Sequence, residues 1–446
     1  MIYEDFRVPS GEEITPELLA DFIKKNQLRG EKRYKKLLDA YETEYEIFTQ
    51  KPKEEWKPDN RIAVNFAKYI VDTFNGFFSG IPVKVTSDDD KVAEYINFLN
   101  AYNDQSDQNA ELAKMCDIFG KAFEMYYVDP AGEICVAHLS PLQAFMIYDD
   151  SILRRRRAFV RVYKDANNIV RGSISDERVV RYFEINPKLT FVDDERLHGF
   201  DGVPAVEYVE NAEQQGLFEP VLSMINAYNK AISEKANDVD YFADTYLKIL
   251  GAKVFDEDLQ WIRNNRVVNF TGQDAEKLIV EFMDKPSGDE TQEHLIDRLE
   301  RLIYTISMVT DLSDDKFGTA SGIALKYKLL AMNNLFATKK RKFESGFSQR
   351  YKLIFSNPAS GMSADDWVKI RYKFTPNFPA NTEEEAEIAA KLAGITSTET
   401  QLSVLSIVED VQAEKQRISD DKRELLGDSQ ALRDLFGVND NGDTTK

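Results

Sequence analysis

The stretch DDKFGTASGIALKYKL, Asp314–Leu329, is the first place where residue types and spacing could support chemistry. A nucleotide-binding phosphate loop needs G-x-x-x-x-G-K-[ST], in which the lysine and the hydroxyl follow the second glycine and reach phosphate and magnesium. Here three residues separate Gly318 from Gly322, apolar residues follow them, and the charge of Lys316 precedes them. No strand is predicted before the loop. The pattern favours a flexible glycine loop in which Ser321 caps the start of a helix.

Histidines, cysteines and serines supply no second catalytic or metal-binding motif. The three histidines are far apart in the sequence, and neither H-E-x-x-H nor paired C-x-x-C spacing occurs. Cys116 and Cys135 are therefore interpreted as small apolar side chains. No G-x-S-x-G elbow is present. The sequence predicts no enzyme, no metal site and no cofactor.

Two basic runs could bind an acidic partner. Arg154–Arg157 leads into a β-rich run and could contact DNA, but pairing with acidic neighbours is favoured in a chain this acidic. The run KKRK at Lys339–Lys342 lies in the middle of a predicted helix and would surround most of it. We interpret that second run as a solvated or subunit-facing surface.

Composition narrows the class of protein. The chain has 446 residues, 43% of them hydrophobic, and its 57 basic and 77 acidic residues give a formal net charge of −20. This balance argues against a general nucleic-acid binder, which normally has a clustered basic surface. The acidic N-terminus lacks the features of a signal peptide, and no uninterrupted apolar run of about 18 residues predicts a membrane span. Two cysteines fit a reducing compartment, so a soluble intracellular protein is expected.

The N-terminal half of the chain predicts a mixed α+β region. Helical periodicity covers the first 50 residues, with a break expected at Gly30. From Ile81 to about Pro204, short β-rich runs such as EMYYVD, AFVRVY and RVVRYFEI alternate with turn signals.

Three long helices are predicted in the second half. Apolar residues recur at helical spacing over 219–250, a rod of about 45 Å at 1.5 Å per residue. An insert over 251–286 predicts a β-hairpin from RVVNF and KLIVEFM, with a short helix before it. A second helix, over 287–312, begins at a capping box, and a third ends at about Phe355. One apolar stripe is expected on the second helix, formed by Leu295, Leu299, Leu302, Ile306 and Val309.

The C-terminal region is predicted to be helical from about residue 381. Thr396 or Ser397 is the expected N-cap of one of its helices. The last ten residues are polar and glycine-containing, and we expect them to be disordered.

Four stretches, in this order, resemble the portal proteins of tailed bacteriophages, in the branch of long-tailed phages and prophages of Gram-positive hosts. They are NRIAVNFAKYIVDTFNGFFSGIPV (Asn60–Val83), HGFDGVPAVEYVENAEQQGLFEPVLSMINAYN (His198–Asn229), ANDVDYFADTYLKILG (Ala236–Gly251) and SGIALKYKL (Ser321–Leu329). The stretch TSTETQLSVLSIVEDVQAEKQRI resembles the start of the family's crown. The family often has proline where this chain has Ser406, so we expect the helix to run on without a break.

The resemblance implies a fold that is α+β and mainly helical, with the parts of a phage portal. These are a wing (1–218), a first stem helix (219–250), a clip (251–286), a second stem helix (287–312), a tunnel loop (313–321), a long wing helix with its return segment (322–380), a helical crown (381–436) and a disordered tail (437–446).

The resemblance also implies a function. About twelve copies would form a ring at one capsid vertex, through which viral double-stranded DNA is packaged and ejected. The tunnel loop would contact DNA transiently and without sequence preference, through Asp314, Asp315, Lys316, Phe317, Gly318, Thr319, Ala320 and Ser321. Trp261 and Phe270 of the clip are either docking anchors or the core of the small insert.

The implied partners are other copies of the chain, viral DNA, the terminase packaging motor, the head–tail adaptor, and capsid and scaffolding proteins, with no membrane. The implied location is the capsid portal vertex of the virion, after assembly in the host cytoplasm. Two other functions stay open at this point. One is a nucleotide-dependent phosphotransferase using the glycine loop, and the other is a neck connector that is not a portal.

Overall fold

The computed structural model describes residues 6–54, 57–192, 194–243, 247–250, 279–282, 289–312, 327–378, 382–405, 407–408 and 411–435. The chain divides into two units, Met1–Asn377 and Phe378–Lys446. The first unit contains the sheets and most of the helices, and the described part of the second is helical. The predicted α+β class is confirmed.

The described strands are β1 (Phe6–Arg7), β2 (Lys84–Ser87), β3 (Lys121–Val128), β4 (Ile134–Leu139), β5 (Ala144–Tyr148), β6 (Arg156–Lys164), β7 (Val170–Ser175), β8 (Val179–Ile185), β9 (Leu189–Phe191), β10 (Arg196–Leu197), β11 (Ala205–Val209), β12 (Leu247–Leu250), β13 (Ile279–Phe282) and β14 (Ile370–Lys373). The described helices are α1 (Pro16–Arg29), α2 (Lys35–Tyr41), α3 (Glu46–Thr49), α4 (Phe66–Ser79), α5 (Asp90–Tyr102), α6 (Gln105–Phe119), α7 (Leu222–Ala243), α8 (Asp289–Ser307), α9 (Leu330–Ser356), α10 (Thr382–Leu392), α11 (Thr398–Val404) and α12 (Val411–Leu435).

The first helices form one nearly continuous path. Thr15 caps α1 by accepting a hydrogen bond from the Leu18 amide. The predicted break at Gly30 is wrong, because a π-helical turn over Gly30–Tyr34 carries the chain directly into α2. A Cβ at Gly30 would lie 3.2 Å from Leu142 Cδ2, so glycine here permits close packing.

The largest sheet has the strand order β1-β5-β6-β7-β8-β10, with β9 also paired to β8. Only its β1–β5 pair is parallel. Strand β5, which lies between β1 and β6, is buried along its whole length because its alternate residues point to opposite faces and both faces are packed. Phe145 and Ile147 pack in the core beneath α1, whereas Met146 and Tyr148 pack toward the three-stranded sheet β11-β3-β4.

Helix α9 crosses the three-stranded sheet at close range. It packs on β11, and a Cβ at Gly346 would overlap the ring of Tyr208. Glycine at this position therefore allows the close approach. The predicted end of this helix near Phe355 is confirmed, since α9 ends at Ser356.

The two long helices α7 and α8 flank a pair of antiparallel strands, β12 and β13. The predicted helix over 219–250 is too long, because α7 ends at Ala243 and 247–250 forms β12. The strand predicted in KLIVEFM is confirmed as β13, while its predicted partner RVVNF lies outside the described residues. Helix α8, predicted over 287–312, spans Asp289–Ser307.

The second unit contains α10, α11 and α12. Ser397 is the N-cap of α11, as predicted, and its side chain accepts a hydrogen bond from the Thr400 amide. The expectation of an uninterrupted helix through Ser406 is wrong. Helix α11 ends at Val404, Leu405 is extended, and α12 begins at Val411. The predicted tail, 437–446, lies outside the described residues.

Candidate functional site

The residues predicted to contact DNA or to dock partners lie outside the described part of the chain. These are Asp314, Asp315, Lys316, Phe317, Gly318, Thr319, Ala320 and Ser321 of the predicted tunnel loop, with Trp261 and Phe270 of the predicted clip. The candidate site is therefore built from the residues that hold these segments in place.

The two ends of the segment that contains the predicted tunnel loop meet at one point. Thr310 Oγ1 donates a hydrogen bond to the carbonyl oxygen of Lys328 at 3.1 Å. The Tyr69 hydroxyl accepts a bond from the Leu312 amide at 2.8 Å and donates to the Thr310 carbonyl at 3.5 Å. Tyr69 of α4 thus holds the segment that follows α8. Thr310 links that segment to Lys328, just before α9.

A row of small polar side chains, the polar row of α7, binds an extended segment of backbone. Asn229 Oδ1 accepts from the Val64 amide at 2.8 Å, Ser233 Oγ from the Ile62 amide at 2.9 Å, and Asn237 Oδ1 from the Asn60 amide at 2.6 Å. All three side chains are buried. Every second residue of the segment 60–64 therefore meets every fourth residue of α7.

Aromatic and charged contacts complete the packing of α4, α7 and α8. The ring of Phe66 lies edge-on to Tyr228 of α7 and Tyr304 of α8, with centroids 4.9 and 5.7 Å apart. Lys235 pairs with Glu293 across the two long helices. Burial raises the pKa of Tyr304, so its hydroxyl is protonated at neutral pH.

Helix α8 has both buried and exposed apolar side chains. Ile296 and Ile303 are buried at 7% and 0% exposure. The predicted stripe lies on another face, where Leu295 and Ile306 are 51% and 42% exposed. Leu299 and Leu302 are half-buried between them, and Val309 is buried beyond the end of the helix. Among the described residues, Leu295 and Ile306 are therefore the exposed members of the predicted stripe.

Lys339 anchors α9 from inside the protein. Its Nζ lies 2.5 Å from Asp117 Oδ1 and 3.0 Å from Glu210 Oε2, and all three side chains are almost completely buried. It also donates to the Ala113 carbonyl at 3.1 Å. The interpretation of Lys339 as part of a solvated or subunit-facing run is therefore wrong. Asp117 and Glu210, which are distant in sequence, pair with Lys339 and allow its charge to be buried.

The buried ion group consists of Lys339 and two acidic side chains, Asp117 and Glu210. Burial, the nearby charge of Glu210 and a hydrogen bond from it raise the pKa of Asp117 well above its usual range, although Lys339 opposes the shift. Burial alone would lower the pKa of Lys339, but Asp117 and Glu210 outweigh it and raise that pKa. The lysine is therefore charged at neutral pH.

A second buried ion pair fixes the same helix about three turns further on. Arg350 binds both carboxylate oxygens of Glu124, with Nε 2.9 Å from Oε2 and Nη2 2.5 Å from Oε1. Both side chains are 1% exposed. The bidentate geometry sets the rotation of α9 on β3 because the planar guanidinium admits few orientations.

Two residues of the run Arg154–Arg157 differ from the predicted pairing with acidic neighbours. Arg156 Nη1 donates to the Ala205 carbonyl and Arg157 Nη2 to the Glu12 carbonyl, each at 2.9 Å. The sequence interpretation paired this run with acidic side chains, whereas these two guanidinium groups bind backbone oxygens.

Neither a metal site nor a membrane span is formed by the described residues. Within them, no group of three or more histidine, cysteine or acidic side chains could hold a metal ion. Across the same ranges, no helix has both the length and the apolar character to cross a membrane.

Sequence reasoning missed the polar row and both buried ion pairs. Asn229, Ser233 and Asn237 recur every four residues on a helix that is otherwise apolar at helical spacing, and this periodicity was a usable signal. Lys339 and Arg350 gave no such signal, because their partners are more than 120 residues away in the sequence.

Comparison with known proteins finds similarity to phage portal proteins in each case. The family described as phage portal protein, SPP1 Gp6-like, matches residues 20–427. A portal protein of Clostridium phage phiCD119 is 23% identical over 398 residues, which cover 82% of this chain and 85% of the relative. A portal protein of Bacillus phage SPP1 is 23% identical over 412 residues, which cover 85% of this chain and 79% of the relative.

Proposed function

The chain belongs to the SPP1 Gp6-like family of phage portal proteins, a structural and non-enzymatic family, and we propose that about twelve copies form a DNA-conducting ring at one capsid vertex. Viral double-stranded DNA enters the capsid through the ring during packaging and leaves through it at infection. The ring is a component of the virion and assembles in the host cytoplasm.

The partly exposed apolar stripe of α8 carries this proposal. Leu295, Leu299, Leu302 and Ile306 follow one another at helical spacing, and the outer two are about half exposed. A continuous apolar helix face of this kind indicates a protein interface. In a ring, the same helix of a neighbouring copy, or its partner α7, covers that face. Contacts between different surfaces of identical chains close into a ring when the rotation fits.

The segment 313–321 is proposed as the tunnel loop that contacts DNA. Its neighbours Thr310 and Lys328 are hydrogen-bonded, which supports a loop whose two ends are held together. One Lys316 from each copy then meets DNA phosphates in a weak, solvent-screened contact. Asp314 and Asp315 offset part of the attraction. Weak contacts suit a channel because the DNA has to slide.

Charge supports a conduit rather than a gripping DNA binder. The formal net charge of −20 per chain repels DNA phosphates over most of the protein surface. DNA can then pass through the ring without adhering to its wall.

The parts of the chain are proposed to divide as in other portals. The wing is 1–218, the stem is formed by α7 and α8, the clip lies between them, and the crown follows residue 381. In this proposal, Trp261 and Phe270 of the clip lie where the packaging motor and the head–tail adaptor dock. Capsid and scaffolding proteins contact the assembled ring.

Electron microscopy of the purified protein tests the ring. Top views should show rings with a central hole, and a chain that stays monomeric over a wide concentration range contradicts the proposal. An L295E/I306E variant should remain folded but fail to form rings. An R298E variant, altered at a charged position on the same helix, is the matched control and should assemble normally.

Packaging assays test the DNA contact separately. Replacing Lys316 with glutamate, or lengthening the loop, should leave rings intact and reduce DNA packaging or retention. Normal packaging by both variants refutes the assignment of the loop. Deleting the hairpin of the clip should leave a folded wing and abolish binding of the motor or the adaptor.

A further inference from the structure

The loop between β5 and β6, residues 149–155, exposes two large apolar side chains at its tip. Ile152 and Leu153 are 102% and 72% exposed. The loop is nevertheless well braced, because Asp149 Oδ1 accepts hydrogen bonds from the Ser151 amide, the Ser151 hydroxyl and the Arg155 amide at 3.2, 2.7 and 2.8 Å. A fixed loop that holds apolar side chains in water indicates a protein-binding surface.

A cleft of about 500 Å³, the arginine cleft, lies beside this loop. Arg155, Arg157 and Arg178 line it together with the carboxylates of Asp149, Asp176 and Glu177. Asp149 braces the loop, and Asp176 Oδ1 accepts from the Arg178 and Val179 amides. Among the described residues, the guanidinium groups of Arg155 and Arg178 have no hydrogen-bond or ion-pair partner. The cleft therefore offers two unpaired cations in a strongly acidic chain.

A second cleft elsewhere in the same unit has the opposite character. This acidic cleft, of about 700 Å³, lies between the end of α4, β2 and the turn from α5 to α6. Asp104 and Asp107 line it, no lysine or arginine does, and neither carboxylate has an ion-pair partner among the described residues. The cleft also has an apolar wall, formed by Pro82, Val83, Val85, Ala101 and Ala110.

We propose that the β5–β6 loop of one copy inserts Ile152 and Leu153 into the acidic cleft of the next copy in the ring. Arg155 and Arg178 then face Asp104 and Asp107 across the interface. The inference rests on the proposed ring and assigns it one specific contact.

Three observations favour a second copy as the occupant. The two unpaired arginines of one surface complement the two unpaired aspartates of the other, and each surface has an apolar component for the other to cover. A volume of about 700 Å³ is within the range that accommodates groups as large as two aliphatic side chains. The surfaces lie on different elements of one chain, so their contact is head-to-tail, the type that closes a ring. DNA would satisfy the arginines but would leave Ile152 and Leu153 in water.

Charge reversal tests the contact. An R155D/R178D variant should need about tenfold or more protein to form rings in size-exclusion chromatography with light scattering, and D107R should have the same effect. The R155D/R178D/D107R variant should recover assembly, because each copy then presents both reversed surfaces. K188D, a reversal at an exposed lysine of the same unit, should assemble as the wild type does.

The results separate this contact from the ring itself. A wild-type chain that forms no rings refutes the proposed function. Rings that form normally with R155D/R178D and with D107R overturn the loop contact while leaving the ring in place, even if DNA packaging is lost. Assembly that is lost in these variants and not recovered by the combined variant also overturns the contact.

Disulfide cross-linking gives an independent readout. In a C135S background, L153C combined with A101C should give a ladder of covalent oligomers on a non-reducing gel, and each single cysteine variant should not. Cys116 is fully buried and does not interfere. A monomer band from rings of the double-cysteine variant would overturn the contact.

Discussion

Replacing Lys339 with methionine should destabilise the protein by about 3–5 kcal/mol at pH 8, the cost expected when one partner of a buried ion pair is removed. Methionine keeps the length of the side chain, so packing against the surrounding rings of Phe78 and Phe343 is largely retained. The loss comes from Asp117 and Glu210, which would share a buried site without a cation. Unfolding of the full chain in urea, followed by circular dichroism, measures the change.

The adjacent residue provides the matched control. Lys340 lies on the same helix, its side chain is 37% exposed, and its ion pair with Glu344 is 3.7 Å long. K340M should change the free energy of unfolding by less than about 0.5 kcal/mol. D117N/K339M should be less destabilised than K339M, since only one buried carboxylate remains. Equal effects of K339M and K340M, or an additive loss in the double variant, would refute the electrostatic explanation.

The penalty should also depend on pH with a defined sign. The folded-state pKa of Asp117 is raised above its unfolded value, so the folded protein binds the extra proton and its stability falls as pH rises between the two values. Because Lys339 opposes the raised pKa of Asp117, its removal should make this loss of stability with rising pH larger. The pKa of Lys339 is itself raised, so its own contribution is constant over pH 5–8. The difference between wild type and K339M should therefore be larger at pH 8 than at pH 5, and a constant difference contradicts the argument.

Three further perturbations test the packing around the candidate site. N229A should cost about 1–3 kcal/mol by leaving the Val64 amide unpaired, and amide hydrogen exchange at Val64 should speed up; unchanged exchange there would contradict the role of the polar row. I306E alone should shift rings toward monomers in light scattering, whereas T305E at the exposed neighbouring position should not. Y69F removes the hydroxyl that accepts a hydrogen bond from the Leu312 amide, at a cost of about 1 kcal/mol. Limited proteolysis between Leu312 and Tyr327 should then be about fivefold faster. Equal cleavage of Y69F and wild type would show that the hydroxyl does not hold the segment.

The sequence predicted elements whose signal is local. The end of α9 near Phe355 follows from apolar periodicity, and the strands around AFVRVY and RVVRYFEI follow from β-rich runs between turns. The N-cap at Ser397 follows from a side chain that can accept an amide hydrogen bond. Each of these signals depends on residues within a few positions of one another.

Errors arose where a distant partner decides the outcome. Residues 247–250 fitted helical spacing, but pairing with 279–282 makes them a strand. Lys339 looked like part of a solvated basic run because nothing near it in sequence indicates Asp117 or Glu210. For the candidate site, the assignment of 313–321 as a tunnel loop stays a prediction, and the structure adds the contacts of Tyr69 and Thr310 just before this segment.

The polar row of α7 also limits where this chain can gain or lose residues. Two residues of extended backbone advance about 6.6 Å and four helical residues about 6.0 Å, so each successive bond adds about 0.6 Å of offset. Three bonds accumulate about 1.2 Å, and a fourth would approach 2 Å, more than a hydrogen bond tolerates. One residue inserted between Asn60 and Val64 would turn alternate amides away from the helix, and one inserted between Asn229 and Asn237 would rotate later side chains by about 100°. Insertions and deletions in related portal chains should therefore avoid both segments and collect in the turns of the largest sheet.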